Sequence, residues 1–384
     1  MELLFDGKAV RATEPEDVGT LSNGFFGKMK GGELLLSPEE ALYLVDMRNA
    51  VCRNARGKAL PFNFLAKKFQ GKSPRLLPRY LTYKDWRERG LVLVDASTLL
   101  GRYPGKSVQE YKGGSPPEVK GKMGGVFFPE SLMCTVDDSA KGKEIYEKWW
   151  FGQYGSYKAA HRGKISKLDV FETLYLSKKG NLRLENSTLK KVGEAASSRM
   201  KYFDEICGVY EDWRENGFVV KTGFKFGTHF RIYFPGAAPG RGEKGWTHSK
   251  HVLHVFPRRS RMLTSEWARA IRLAHSVRKT FILAIPGKKT AKKRGADFAL
   301  YHRKGGEACN PKNSDPRYLM LSLSEDEYLG GIELSAALVE CGERGLELVV
   351  AIADRETSVT YYLIKRIRLP HSRYEYFEIE WLNP

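Results

Sequence analysis

Apolar residues recur along this chain in two rhythms, every second position and every three to four positions, and their alternation predicts short strands interleaved with amphipathic helices. The stretch HFRIYFPGAAPGRGEKGWTHSKHVLHV, residues 229–255, holds two alternating runs, FRIYF and HVLHV, around a loop of Gly, Pro and charge. It predicts two strands joined across that loop. Tyr233 closes the first run and His248 opens the approach to the second. Further on, TSEWARAIRLAHSVRK has helical spacing, with Trp267, Ala270, Ile271, Ala274 and Val277 as its apolar stripe and Thr264 or Ser265 placed to cap it. Arg269, Arg272, Ser276 and Lys279 recur on another face, which is either merely solvated or offered to an anion. Lys279 ends this helix immediately before the apolar run TFILAI.

The pattern repeats. Residues 83–94, YKDWRERGLVLV, return as YEDWRENGFVVK at 210–221, each a helix end stopped by Gly (Gly90, Gly217) and followed by a strand. Upstream, NGFFGKMKGGELLLSPEEALYLV (23–45) is similar to KWWFGQYGSYKAAHRGKISKLDVFETLYLS (148–177). Ser37, Pro38 and Glu40 predict a capping box with Pro at the first helical position, and Leu42 and Val45 a buried stripe. The second copy carries a basic insertion over 156–167 with Lys158, His161, Arg162, Lys164 and Lys167, open to reading as an RNA contact or as a solvated loop. A further repeat aligns 251–285 with 318–352, each strand, loop, helix and buried strand.

These repeats predict an α/β protein of tandem units, with helix-rich N-lobes and mixed-sheet C-lobes. A truncated unit is expected over 1–140, and a complete unit over 141–307, divided at 215/216. A degenerate C-terminal half-unit follows over 308–384. Trp86, Trp149 and Trp213 fall at repeated or core-like positions and read as packing residues.

Composition narrows the class. The 384 residues include 64 Lys and Arg against 45 Asp and Glu, a net charge of +19, which suits either a polyanionic partner or a charged, soluble surface. Five scattered cysteines (Cys52, Cys134, Cys207, Cys309, Cys341) form no CxxC pair, which argues against a disulfide framework or a zinc knuckle and for a reducing cytoplasm. Neither a secretory leader nor a membrane-spanning run is evident, so no membrane is expected.

The repeat at 318–352 keeps the apolar positions of 251–285 and loses the polar ones. Lys279 becomes Leu346, Arg272 becomes Val339, and His248 becomes Asp315. One copy then carries chemistry and the other only structure. Tyr, His and Lys without a carboxylate cluster suit RNA cleavage by its own 2′-hydroxyl. That reaction needs a base, an acid for the departing 5′ oxygen and a cation for the pentacoordinate phosphate, and no metal or other cofactor, since the nucleophile is in the substrate. Imidazole suits the acid because it titrates near neutrality. A phenol needs a neighbouring cation to serve as base, and Lys279 could supply it.

The run VVKTGFKFGTHFRIYFPG…HSKHVLHV…ARAIRLAHSVRKTFILAI resembles the catalytic subunit of archaeal tRNA-splicing endonucleases. LSPEEALYLV resembles that family's N-terminal domain, and SVTYYLIKRI (358–367) its closing strand. The resemblance implies restriction-nuclease-like C-lobes, with 1–140 noncatalytic and 141–307 catalytic, in an endonuclease that cuts precursor tRNA introns at bulge-helix-bulge junctions, leaving 2′,3′-cyclic phosphate and 5′-hydroxyl ends without metal. By motif it implies Tyr233 as general base, His248 as general acid, Lys279 as transition-state cation and Arg272 as a guanidinium stacking on a bulge base, with Arg269 beside it on the RNA-facing helix. The unit count resembles the family's three-unit form, which assembles as a homodimer. In the family an acidic loop then docks on a basic pocket, and Asp354 and Glu356 of ADRETSV match that loop. The basic run KKTAKKRG (288–295) is an undecided candidate for the receiving pocket.

Other readings stay in view. A non-cleaving RNA-binding or assembly subunit would lack Tyr, His or Lys in every copy, and one set is intact. A metal-dependent nuclease would want clustered carboxylates, whereas the Glu118-Val119-Lys120 fragment sits in a Gly/Pro-rich loop. His251 and His254, three apart in a strand, face opposite sides and do not share a metal; His275 reads as structural.

Overall fold

A computed structural model describes all residues except 72, 74, 106, 158, 243, 244 and 288–294. The chain opens with β1 (Glu2–Phe5) and β2 (Val10–Ala12), α1 (Pro15–Asn23), β3 (Lys28–Lys30), β4 (Glu33–Leu36), α2 (Pro38–Met47), β5 (Val51–Asn54), α3 (Phe62–Gln70) and α4 (Leu76–Glu88). Among the described residues these strands form one sheet in the order β3-β4-β2-β1-β5. The expected capping box starts α2: Ser37 accepts from the Glu40 amide at 3.2 Å, and Glu40 accepts from the Ser37 amide at 2.7 Å. Gly90 follows α4 at φ +73°, a conformation that stops the helix and that glycine adopts without strain.

After β6 (Leu93–Asp95) and β7 (Gln109–Glu110), the same arrangement recurs. It comprises β8 (Met123–Phe128), β9 (Met133–Val136), α5 (Ser139–Trp149), β10 (Gln153–Tyr154), β11 (Ser166–Asp169), α6 (Val170–Lys178), β12 (Leu182–Leu184), α7 (Leu189–Ser197) and α8 (Phe203–Glu215). Its sheet order, β10-β11-β9-β8-β12, repeats the first strand for strand. Each N-lobe is thus a five-stranded sheet packed with helices. The boundary expected at 140 cuts through the second sheet, because β8 pairs with both β9 and β12.

The remaining strands build one large mixed sheet. They are β13 (Val219–Thr222), β14 (Phe230–Tyr233), the two-residue pair β15 (Arg241–Gly242) and β16 (Gly245–Trp246), β17 (His251–Val255), β18 (Arg261–Leu263), β19 (Thr280–Ile285) and β20 (Phe298–Leu300). There follow the short pair β21 (Arg303–Lys304) and β22 (Glu307–Ala308), then β23 (Tyr318–Ser324), β24 (Tyr328–Gly330), β25 (Glu347–Ala353), β26 (Val359–Arg368) and β27 (Glu375–Leu382). Helix α9 (Thr264–Ser276) precedes β19 and α10 (Gly331–Arg344) precedes β25. Among the described residues the sheet runs β13-β14-β17-β19-β27-β26-β25-β23-β20-β6.

That order is two equivalent halves meeting at the β27–β26 pair. The half β13-β14-β17-β19-β27 packs on the second N-lobe, and β6-β20-β23-β25-β26 packs on the first. Helices α9 and α10 cover the opposite face through Trp267, Ile271, Ala274, Leu334 and Ala337. The first lobe thus finds its sheet partner at the far end of the chain, with the whole second unit inserted between. Consequently β20 pairs with β6 and β23, so the division expected at 307 also falls inside a hydrogen-bonded unit. Trp86 and Trp213, the repeated tryptophans, are both fully buried where each lobe meets its half-sheet.

Helix α9 starts one residue earlier than a Thr264 cap requires: its cap is Leu263, and the Thr264 hydroxyl instead donates to the Glu327 carbonyl at 2.7 Å. That bond, with the β18–β24 pair, ties the two halves together on the helix side. Val277, expected in the buried stripe, is exposed because the helix ends at Ser276. All five cysteines are free, and among the described residues no helix is long and apolar enough to cross a membrane.

Candidate active site

Strand register brings the sequence-predicted residues together. Antiparallel β14 and β17 pair Ile232 with His251, and parallel β17 and β19 pair His251 with Thr280. One step past these pairs, at the shared end of three neighbouring strands, stand Tyr233, Lys250 and Lys279. The Thr280 amide donates to the Lys250 carbonyl at 2.9 Å, which holds Lys279 beside the segment His248-Ser249-Lys250.

Ser249 is the meeting point. The Lys279 ammonium donates to the Ser249 carbonyl and, at 3.0 Å, to its hydroxyl. The same side chain is near enough to the Tyr233 phenol to lower its pKa. His248, the next residue, is exposed and lines a cleft of about 820 Å³ together with Tyr233.

Burial raises the Tyr233 pKa above its ordinary value, and the Arg231 charge and the Ser249 side chain pull it back down. Burial and the Arg231 charge both lower the Lys279 pKa. The Lys279 ammonium also lies 4.9 Å from the Phe226 ring centroid, and the Arg231 guanidinium 5.9 Å from that of Tyr233.

The second N-lobe supplies a wedge behind the phenol. Trp150 sits with its ring centroid 4.7 Å from that of Tyr233, at 46°. Its left-handed φ of +51° ends α5. A buried ion pair holds that turn. Glu172 accepts from the Gly152 amide at 2.8 Å and from Lys221 at 2.6 Å, while Lys221 also donates to the carbonyls of Trp150 at 3.2 Å and Gly152 at 3.0 Å. Glu172 closes a capping box with Asp169, whose own pKa is pushed up to about 7, chiefly by burial. In the first lobe Glu40 has the same cap and accepts from the Gly27 amide at 2.9 Å. Val94 stands there in place of Lys221, and burial raises the Glu40 pKa.

The other half-sheet holds the degenerate counterpart. There β6 and β20 pair Leu93 with Leu300, and the Tyr301 amide bonds the Val92 carbonyl at 2.9 Å. Tyr301 therefore occupies the position of Tyr233. Arg317 replaces Lys250, and Asp315, Pro316 and Leu346 replace His248, Ser249 and Lys279. The Tyr301 pKa is pushed up to about 12, first by burial.

The remaining sequence candidates fall elsewhere. Arg269 and Arg272 stand exposed on α9 and do not line the cleft. In the insertion, Arg162 and Lys164 are exposed, Lys167 donates to the Gly155 carbonyl at 2.8 Å and so closes its own loop, and Lys158 lies outside the described residues. Tyr157 of this loop is 68% exposed, has Lys225 over its ring at 5.5 Å, and is close enough to Tyr233 to raise its pKa slightly. The basic run also lies outside the described residues except for its last glycine.

Asp354 accepts from the amides of Glu356 and Ser358, both at 2.9 Å, and so shapes the β25–β26 turn; Glu356 is exposed on it. His275 meets the Ile379 carbonyl at 3.2 Å. The His254 ring lies 4.6 Å from that of His229, tilted by 50°, and among the described residues no three metal-binding side chains gather. Sequence patterning passed over Ser249, Arg231, Trp150 and His229, since none breaks a hydrophobic period.

Comparison with known proteins places this geometry. Residues 203–293, from α8 through β19 and beyond, match the catalytic C-terminal domain of tRNA intron endonucleases, and residues 1–63 match their N-terminal domain. A tRNA-splicing endonuclease of Methanococcoides burtonii is 28% identical over 325 residues, spanning 69% of this chain and 90% of the relative. One from Pyrobaculum islandicum is 30% identical over 172 residues, 42% of this chain and 90% of the relative. Another, from Methanopyrus kandleri, is 37% identical over 134 residues, 34% of this chain and 71% of the relative. An α/β fold of paired lobes with this catalytic domain defines an RNA-cleaving enzyme. The chain belongs to the tRNA-splicing endonuclease family.

Proposed function

We propose that this enzyme removes introns from precursor tRNA by cutting bulge-helix-bulge junctions through attack of a ribose 2′-hydroxyl on the adjacent phosphorus. The observation that carries this reading is the convergence of Tyr233 and Lys279 on Ser249, with His248 one residue away in the cleft that Tyr233 lines. Tyr233 takes the 2′-hydroxyl proton as the new P–O bond forms. His248 gives a proton to the departing 5′ oxygen as the old bond breaks. Lys279 stabilises the charge on the phosphoryl oxygens between those events. The products are a 2′,3′-cyclic phosphate and a 5′-hydroxyl.

Tyr233 acts as base once its own proton has gone to solvent; burial makes that phenolate scarce at neutral pH, and the Arg231 charge and the Ser249 side chain raise its share. All of these atoms belong to the chain or the RNA, and no step calls for a metal. Cleavage of a bulge-helix-bulge RNA in EDTA, followed by analysis of the product ends, tests the reading. A 3′-hydroxyl or 5′-phosphate end would overturn it.

The catalytic unit is then the second N-lobe with β13 to β19, and the noncatalytic unit the first N-lobe with β20 to β26. Since each chain has one intact set and an intron needs two cuts, the working form is a homodimer. The exposed Glu356 on the turn shaped by Asp354 suits an acidic docking loop between protomers. Asp354→Lys with Glu356→Lys then halves the mass seen by light scattering, and an unchanged mass counts against this assembly. Arg272 and Arg269 on α9, with Lys158, Arg162, Lys164 and Lys167 of the insertion, contact the RNA. Serine at the four insertion positions weakens cleavage of irregular bulges most, and equal loss on all substrates would refute that role. Five free cysteines suit a reducing cytoplasm.

A further inference from the structure

The segment joining the two N-lobes is anchored across the mouth of the candidate site. β7 runs parallel to β26, pairing Gln109 with Ile367 and Glu110 with Arg368, and the Tyr111 amide donates to the Arg368 carbonyl at 2.9 Å. The Tyr111 side chain is buried, its hydroxyl bonded to Glu378 of β27. Its ring meets His251 edge-on at 5.5 Å and 70°, and Trp213 at 6.0 Å and 79°. Three residues on, the Gly114 amide donates to the Asn216 carbonyl at 2.8 Å.

The glycines permit this close approach. A Cβ at Gly113 would meet the Asn216 carbonyl oxygen at 3.0 Å, and one at Gly114 would meet Pro235, two residues past Tyr233, at 2.8 Å. Lys112 is held between these anchors. It is exposed, and among the described residues no carboxylate or hydrogen bond holds its ammonium.

Gln109, Glu110, Tyr111 and Lys112 line the same cleft as Tyr233 and His248. The other ionisable groups on its wall are Lys250 and His251, and His251 is kept neutral by burial, its pKa brought down to about 4. We propose that Lys112 grips a backbone phosphate of the RNA strand running through this cleft toward the scissile bond, with Glu110 as an opposing charge that moderates the grip. The connection from the noncatalytic unit thereby becomes one wall of the substrate site. A point ammonium on a mobile stem suits a phosphate oxygen and reads no base, so the contact contributes affinity rather than sequence preference. This inference rests on the assignment of the Tyr233–His248 cleft as the active site.

The test is equilibrium binding of a bulge-helix-bulge RNA carrying 2′-deoxyribose at both cleavage positions, titrated at several salt concentrations. Lys112→Gln weakens binding about tenfold at low salt and flattens the dependence of log Kd on log salt by about 0.7 to 0.9, the release of one counterion. Lys112→Arg restores both, and Glu110→Gln tightens binding. In cleavage assays the Lys112→Gln loss falls mainly on KM. Unaltered affinity and salt slope in both charge variants, with melting temperatures like the parent's, would overturn the proposal. Failure of the underlying site assignment is distinguishable, because it shows as full cleavage by Tyr233→Phe or His248→Ala and does not depend on Lys112.

Discussion

Lys279 donates to the hydroxyl of Ser249 at 3.0 Å, and that same side chain lowers the pKa of Tyr233. The serine thus lies between the ammonium and the phenol at the end of three strands. Because Ser249 lowers the Tyr233 pKa, Ser249→Ala leaves the phenol more protonated at any given pH. The account predicts a fall of about ten- to a hundredfold in single-turnover cleavage at neutral pH. It also predicts that the alkaline rise of the rate moves to higher pH. A rate loss with no movement of that limb would reduce Ser249 to a packing residue.

The Glu172–Lys221 pair holds the turn that presses Trp150 onto Tyr233. Lys221→Met leaves a buried, uncompensated carboxylate and is expected to cost about 3 to 5 kcal/mol of stability. Glu172→Gln with Lys221→Met recovers part of that loss. Chemical denaturation of the single and double variants measures the coupling. Strict additivity would show that the two side chains do not act as a pair.

Tyr301 sits where Tyr233 sits, with Asp315 and Leu346 in place of His248 and Lys279. Tyr301→Phe should leave the cleavage rate within about twofold of the parent, since a phenol without its partners does no chemistry. A hundredfold loss would mean that the noncatalytic half takes part in the reaction.

Stability should fall in mild acid. Burial brings the pKa of His229 down to about 4 and that of His254 down to about 3, against an ordinary value near 6.5 in the unfolded chain. Both are neutral in the fold through the window where the unfolded chain protonates them, so their contribution is complete above about pH 6.5 and lost as pH falls toward 4. Each costs about 1.4 kcal/mol per pH unit inside that window. Replacing His254 with Gln should flatten the pH dependence of the melting temperature between pH 4 and 6. An unchanged slope would contradict the assignment.

Much of this was legible in the sequence, for identifiable reasons. Capping residues, helix-stopping glycines and apolar spacing are local, so α2, Gly90, Gly217 and the offset of 127 could be read directly. The candidate trio stood out because the later repeat kept Ile and Leu while replacing His248 and Lys279. The nested order of units was hidden, because strand pairing between β6 and β20 spans the entire inserted unit and leaves no local trace. Tyr301 was hidden for a smaller reason. The second repeat aligns at 67, whereas β14 and β20 align at 68, a one-residue slip in the connecting loops that moves a side chain to the other face of a strand. Ser249 and Trp150 were missed because their importance lies in what they touch.

The central claim is that Tyr233, His248 and Lys279 act on one phosphodiester. Its most direct test is single-turnover cleavage of a precursor tRNA by Tyr233→Phe, His248→Ala and Lys279→Met, each checked for an unaltered fold and for RNA binding. The account predicts losses of at least about a hundredfold in each variant, with combined losses far short of multiplicative. Any one of the three cutting at the parent's rate would contradict it.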